Sequence, residues 1–99
     1  MKISSFTIKN SGDVTYPSYD AGIDIRSNNN YISDNNIINN GEHVIYVQKG
    51  INNTLVNNFI SNNTFGIFID GDYGNQLDIS NILNNTISNN SQKGLYLSY

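Results

Sequence analysis

The feature that most constrains this chain is a phrase that keeps returning, in which an apolar pair or its near equivalent sits between asparagines. It reads Asn35-Asn36-Ile37-Ile38-Asn39-Asn40, then Asn57-Asn58-Phe59-Ile60-Ser61-Asn62-Asn63, then Asn84-Asn85-Thr86-Ile87-Ser88-Asn89-Asn90. Ser5-Phe6-Thr7-Ile8-Lys9-Asn10 is a degenerate first copy. Self-similarity of this kind marks a chain built by stacking, in which each unit is too small to bury its apolar face alone. With Ile8, Ile38, Ile60 and Ile87 taken as equivalents, the steps are 30, 22 and 27 residues. The shortest step is the basic period. Both longer ones hold a loop-like insertion: about 13–20, with the only proline, and about 70–75, with Gly71 and Gly74.

A second phrase follows each block: Gly22-Ile23-Asp24-Ile25, Val44-Ile45-Tyr46-Val47, Gly66-Ile67-Phe68-Ile69 and Gly94-Leu95-Tyr96-Leu97. Its strict alternation of aliphatic and other residues is the pattern of a half-buried strand. Ile32, Leu55 and Ile82 form a third short apolar spot in each repeat. Composition agrees. The chain has 20 Asn and 15 Ile but a single Ala and a single Glu, so turn formers and β-branched residues replace helix formers. Abundant asparagine with little charge also suits a disordered polar tract, but disorder requires no periodic isoleucine.

Three brief strands per repeat, separated by Asn-rich or Gly-rich corners, wrap into a three-sided coil. The expected fold is therefore all-β: a right-handed single-stranded parallel β-helix of about four coils over residues 1–99, as one domain or as part of a longer one. The predicted inward columns are Ile8, Ile38, Ile60 and Ile87; Ile23, Ile45, Ile67 and Leu95; Ile25, Val47, Ile69 and Leu97; and Ile32, Leu55 and Ile82. Stacked amides of Asn10, Asn40, Asn62 and Asn89 are expected to form a ladder at one corner, where asparagine also tolerates a left-handed backbone. A leucine-rich repeat shares the period, but this chain has only five leucines. Neither end reads as a cap, although Met1 to Phe6 could fold across the first coil. Coils left open in this way predict either a longer solenoid or self-association, end to end or side by side.

The phrases from Asn52 to Asn63 and from Gly66 to Ile69 resemble the repeats of the right-handed parallel β-helix superfamily, more narrowly its NosD-like and pectin-lyase-like members. The likeness runs from Phe6 to Leu97. It implies a bacterial or archaeal surface protein, within a group spanning polysaccharide lyases, hydrolases, uronan epimerases, copper-system proteins and adhesins. Such a fold does not itself select a function.

The leading functional reading is a structural or interaction module of a surface or extracellular protein. It rests on the column Asp24, Tyr46, Phe68, Tyr96, which alternates with core columns and should face outward. Three stacked aromatics offer either a glycan-binding platform at Tyr46, Phe68 and Tyr96 or a sheet-stabilising ladder, with Phe65, Tyr73 and Tyr99 nearby. The alternative is a carbohydrate-active enzyme, for which Asp24, Arg26 and Asp70 form the best acid–base cluster, with Asp70 two coils above Arg26. The paired-Asp, Gly-His-Gly and Arg-x-Lys patterns of pectin-degrading hydrolases are absent. Asp70 and Asp72 bracket a glycine as in a calcium loop, but hard cations take about 6–8 oxygens. His43 and Met1 are the only copper-type candidates, so no cofactor is expected. Thr7, Thr15, Thr54, Thr64 and Thr86 make no regular ice-binding array.

Charge narrows the partners. The net charge is −3 with five basic residues and no basic run, which argues against nucleic acid and anionic membranes. No apolar stretch is long enough to span a bilayer, the stretch from Met1 to Thr7 lacks the apolar run expected of a signal peptide, and the absence of cysteine excludes disulfides.

Overall fold

The computed structural model describes residues 1–12, 20–48, 50–70 and 80–98. The chain winds through β1 (Lys2–Ser4), β2 (Thr7–Lys9) and β3 (Ala21–Ile25), then β4 (Tyr31–Ser33), β5 (Asn36–Ile38) and β6 (His43–Gln48). Two further turns hold β7 (Asn53–Val56), β8 (Phe59–Ser61) and β9 (Phe65–Asp70), and β10 (Ser80–Leu83), β11 (Thr86–Ser88) and β12 (Lys93–Ser98). Like strands stack in parallel. Sheet A runs β1-β4-β7-β10, sheet B β2-β5-β8-β11 and sheet C β3-β6-β9-β12. This is the three-sided parallel β-helix expected from the repeat. The two insertions lie outside the described residues, apart from Asp20 and Asp70 at their edges.

The core is a stack of aliphatic columns. In sheet C, Ile23, Ile45, Ile67 and Leu95 stand in register, as do Ile25, Val47, Ile69 and Leu97. Sheet A contributes Ile3, Ile32, Leu55 and Ile82. Ile3 extends that column because Met1 to Phe6 does not fold across the end; its middle is β1, the first strand of the first coil.

Sheet B corrects the expected register. Ile37, not Ile38, pairs with Ile8 and Ile60, while Ile38 lies beside Ser61. Ile37 is fully buried and Ile38 only half-buried. Side chains alternate along a strand, so two adjacent isoleucines cannot both point inward, and the sequence alone offers either one. The asparagine ladders consequently repeat at 23 residues. In sheet C the pairing of Ile45 with Ile67 keeps a step of 22. The extra residue enters at the corner from sheet C of the second coil to sheet A of the third, and is given back at the third coil's corner from B to C. Corners absorb the difference because no side chain there has to alternate.

The asparagine pairs divide two tasks. The first member turns the corner in the left-handed region: Asn10, Asn39, Asn62 and Asn89 have φ of 62°, 56°, 59° and 53°. Its successor points inward. Asn40 Nδ2 donates to Asn63 Oδ1, and Asn63 Nδ2 to Asn90 Oδ1, at 3.2 and 3.1 Å. Of the ladder predicted at this corner, only Asn40 is a rung; Asn10, Asn62 and Asn89 are turn residues one position earlier. A second ladder joins Asn35, Asn58 and Asn85, and a third joins Asn30 to Asn53. Asn35, Asn40, Asn53, Asn58, Asn63, Asn85 and Asn90 each also accept a backbone N–H from the coil below, as Asn58 does from Asn35. The corners therefore satisfy polar groups that would otherwise be buried without partners.

One glycine is fixed by the stacking. A Cβ on Gly66 would collide with the carbonyl oxygen of Gly94, and Ile87 Cγ2 would lie 3.1 Å away. The same lead position holds Val44 in the second coil, where the side chain joins the core.

Candidate functional site

Sheet C carries the long strands, and its outward residues follow from the same alternation that buries Ile45 and Val47. Asp24, Tyr46, Phe68 and Tyr96 stand in register up the face, as the sequence predicts. The rings of Tyr46 and Phe68 lie 4.9 Å apart with planes 4° from parallel, and those of Phe68 and Tyr96 lie 4.7 Å apart at 18°. Coplanar rings would collide at that spacing, so the faces overlap and the edges point away from the sheet. The column is thus an aromatic ladder whose faces are largely occupied by its own members. Tyr46 and Phe68 are only 3% and 8% exposed.

His43, at the start of β6, completes the cluster. Its ring centroid lies 5.1 Å from that of Tyr46, 5.0 Å from Phe65 and 4.9 Å from Phe68. Phe65 stands beside it because the Phe65 N–H donates to the Glu42 carbonyl, bringing the starts of β9 and β6 together. Burial holds the His43 imidazole below its usual pKa, so it is neutral at pH 7. Glu42 Oε1 lies 4.0 Å from His43 Nε2.

These groups line a cleft of about 350 Å³ bounded by Glu42, His43, Tyr46, Phe65, Phe68, Asp70, Tyr96 and Ser98. That volume falls within the roughly 300–1,000 Å³ of clefts that hold small ligands. The Tyr46 hydroxyl donates to Asp70 Oδ2 at 3.0 Å, which fixes the carboxylate at the rim. At the upper end, Lys93 Nζ sits 3.9 Å from the centre of the Tyr96 ring.

Asp24, Arg26 and Asp70 share this outward face. Arg26 follows Ile25, which pairs with Val47, and the next residue, Gln48, pairs with Asp70, so Asp70 lies two coils above Arg26. They do not converge. Arg26 Nη2 binds Asp24 Oδ2 at 2.8 Å, Gln48 Nε2 reaches Asp24 Oδ1 at 3.4 Å, and Asp70 belongs to Tyr46. Of the two aspartates read as a calcium-type pair, Asp70 ends β9 while Asp72, like Tyr73 and Tyr99, lies outside the described residues. Among the described residues no three His, Asp or Glu side chains gather as a metal site, and no helix is long and apolar enough to cross a membrane.

Sequence reading found the column but not the place of His43 in it. The signal was present: pairing Ile45 with Ile67 sets His43 level with Phe65.

The sequence matches the family described as the right-handed beta helix region over residues 1–99. The match is made at the level of the whole β-helix region and draws no line between its subfamilies. Neither curated proteins nor solved structures give a significant match to this chain. The chain belongs to the right-handed β-helix family.

Proposed function

We propose that this right-handed β-helix is an interaction module of a surface or extracellular protein, and that it holds a neutral glycan in the cleft of sheet C. The observation that carries the reading is the cleft itself, walled by ring edges and rimmed by carboxylates. Sugars bind where apolar C–H surface meets aromatic side chains and hydroxyls meet well-placed acceptors. Asp70 supplies such an acceptor, already oriented by Tyr46. Both charged groups lining the cleft, Glu42 and Asp70, are acidic, which disfavours uronate polymers relative to neutral ones. Tyr96 is the column's least covered ring and offers the contact surface, whereas Tyr46 and Phe68 support it from below.

A catalytic reading would route through Asp24, Arg26 and Asp70. With Asp24 and Arg26 bound to each other and Asp70 bound to Tyr46, no free acid–base pair faces a common substrate position, so binding is the better account.

Affinity electrophoresis in gels containing mannan, xylan, β-glucan or polygalacturonate tests this. Retardation by a neutral polymer is expected, and its loss in Asp70→Asn and Tyr96→Ser with an unchanged far-UV circular dichroism spectrum. Equal retardation of both variants, or none of the native chain on any polymer, would reject the cleft as a glycan site.

A further inference from the structure

Of the 20 asparagines in this chain, Asn40 alone is followed by glycine. The backbone nitrogen after an asparagine can attack the side-chain amide carbon and close a five-membered ring. Glycine is the successor that best allows this, because it has no Cβ in the way and its backbone reaches the conformation needed. In the folded chain the attack is blocked. Asn40 is 3% exposed, and its amide is a rung of the ladder at the corner from sheet B to sheet C. Its Oδ1 accepts the Ser11 N–H at 3.1 Å from the coil below. Both hydrogens of Nδ2 are used, one on Asn63 Oδ1 at 3.2 Å and one on the Ile8 carbonyl at 3.3 Å. The Asn40 backbone N–H also donates to Asn63 Oδ1, at 2.8 Å. Tied to the coils above and below, the amide is not free to turn onto the Gly41 nitrogen.

We infer that Asn40–Gly41 is a site of spontaneous deamidation that the asparagine ladder keeps silent, and that conversion there is one-way because the product cannot rebuild the rung. The step needs only water. The Gly41 nitrogen gives its proton to solvent and bonds to Asn40 Cγ, and the Cγ–Nδ2 bond breaks to release ammonia. Water then opens the cyclic imide at either carbonyl, leaving aspartate or isoaspartate at this position. Nothing is oxidised or reduced.

Either product breaks the corner. An ionised aspartate has no hydrogen to donate, so its oxygens would face two other acceptors, Asn63 Oδ1 and the Ile8 carbonyl, in a buried place. Isoaspartate routes the backbone through the side chain and adds a methylene between the corner and β6, which moves the rung out of line with Asn63. The conversion rate in the folded chain is therefore the rate in the open chain multiplied by the fraction of time this corner is open. Each opening carries a chance of permanent damage, so the ladder sets the working lifetime of the coil as well as its stability. This does not depend on any ligand in the cleft of sheet C.

Incubating the intact chain in mildly alkaline buffer, with and without denaturing guanidinium chloride, tests the inference. Peptide mapping by mass follows the exchange of NH2 for OH at each asparagine. In denaturant Asn40 should convert first, ahead of Asn10 and Asn90, which precede serine. In buffer its conversion should be slower by about a hundredfold or more. Asn63→Ala removes the partner above and should speed conversion in buffer at least about tenfold while leaving the denatured rate unchanged. If that variant lacks the strand signal in circular dichroism, a titration of the native chain through its unfolding transition takes its place, and conversion should rise with the unfolded fraction. Asn40→Asp, which supplies one product directly, should unfold at a lower denaturant concentration than the native chain. Equal conversion of Asn40 in buffer and in denaturant would overturn the inference, as would another asparagine converting first in denaturant. An Asn40→Asp chain as stable as the native one would remove the one-way step.

Discussion

Replacing Asn58 by Ala tests the ladder at its most connected rung. Its Oδ1 accepts from the Asn35 N–H at 3.1 Å and from Asn35 Nδ2 at 3.0 Å. Its Nδ2 donates to the Ile32 carbonyl at 3.0 Å and to Asn85 Oδ1 at 2.9 Å. Two of these partners have other bonds to fall back on. Asn35 Nδ2 also reaches the Ile3 carbonyl, and Asn85 Oδ1 still receives the backbone N–H of residue 58. The Ile32 carbonyl lies in the sheet A ladder, opposite Leu55 and next to the Ser33–Val56 pair. The Asn35 N–H is the group that loses its partner, and Asn58 is buried, so water cannot replace it. At about 1–3 kcal/mol for a buried group left unpaired, the cost is about 1–3 kcal/mol. Typical domains hold only about 5–15 kcal/mol in total, so the loss is a sizeable share of stability. Its neighbour Asn57 supplies the contrast: it turns the corner at φ 56°, and Asn57→Gly keeps that freedom. Urea titrations followed by far-UV circular dichroism should show Asn58→Ala losing about 1–3 kcal/mol and Asn57→Gly only a few tenths (~0.3 kcal/mol). Equal losses in the two variants, or a loss below about 0.5 kcal/mol in Asn58→Ala, would refute the division of labour within the asparagine pair.

Other consequences follow from the register and the cleft. Ile37→Ala should cost about 2–5 kcal/mol and Ile38→Ala less than about 1 kcal/mol, measured as urea midpoints; the reverse order would restore the register rejected above. Gly66→Ala forces a methyl group onto the Gly94 carbonyl and should destabilise by about 1–3 kcal/mol or more. Gly94→Ala meets only Ile87 Cγ2 at 3.2 Å and should be milder, so similar melting temperatures for the two would count against the coil spacing described here. Burial lowers the His43 pKa in the folded chain, so the unfolded chain binds that proton more readily. Stability should therefore be full above pH ~6.5, decline as pH falls below it, and level off once the folded imidazole protonates. His43→Leu should flatten that part of the profile, and an unchanged slope would assign it to other groups.

Much of the architecture was legible because alternation and repetition are local. The phrase Gly66-Ile67-Phe68-Ile69 announces which residues face in and which face out, and its four copies align without gaps. Sheet B was ambiguous for the same reason reversed: Ile37-Ile38 offers two apolar neighbours where alternation can use only one. The ladder was read one residue early because both members of an Asn-Asn pair suit a corner by composition, and only backbone geometry separates the turn residue from the rung. The aromatic column was legible as a column. Whether its ring faces meet a ligand or each other was not, since that depends on ring planes rather than on register.

The sequence by itself determined the winding: periodic isoleucine demands a dry column, and paired asparagine demands a corner that can adopt a left-handed backbone and still bond along the axis. Tertiary structure alone decided which isoleucine and which asparagine turned inward, because the choice is made by the strand stacked above and below. It also decided that the imidazole of His43 packs against Tyr46, Phe65 and Phe68 around a cleft, because the direction a side chain takes at the start of a strand is set by the rings stacked beside it.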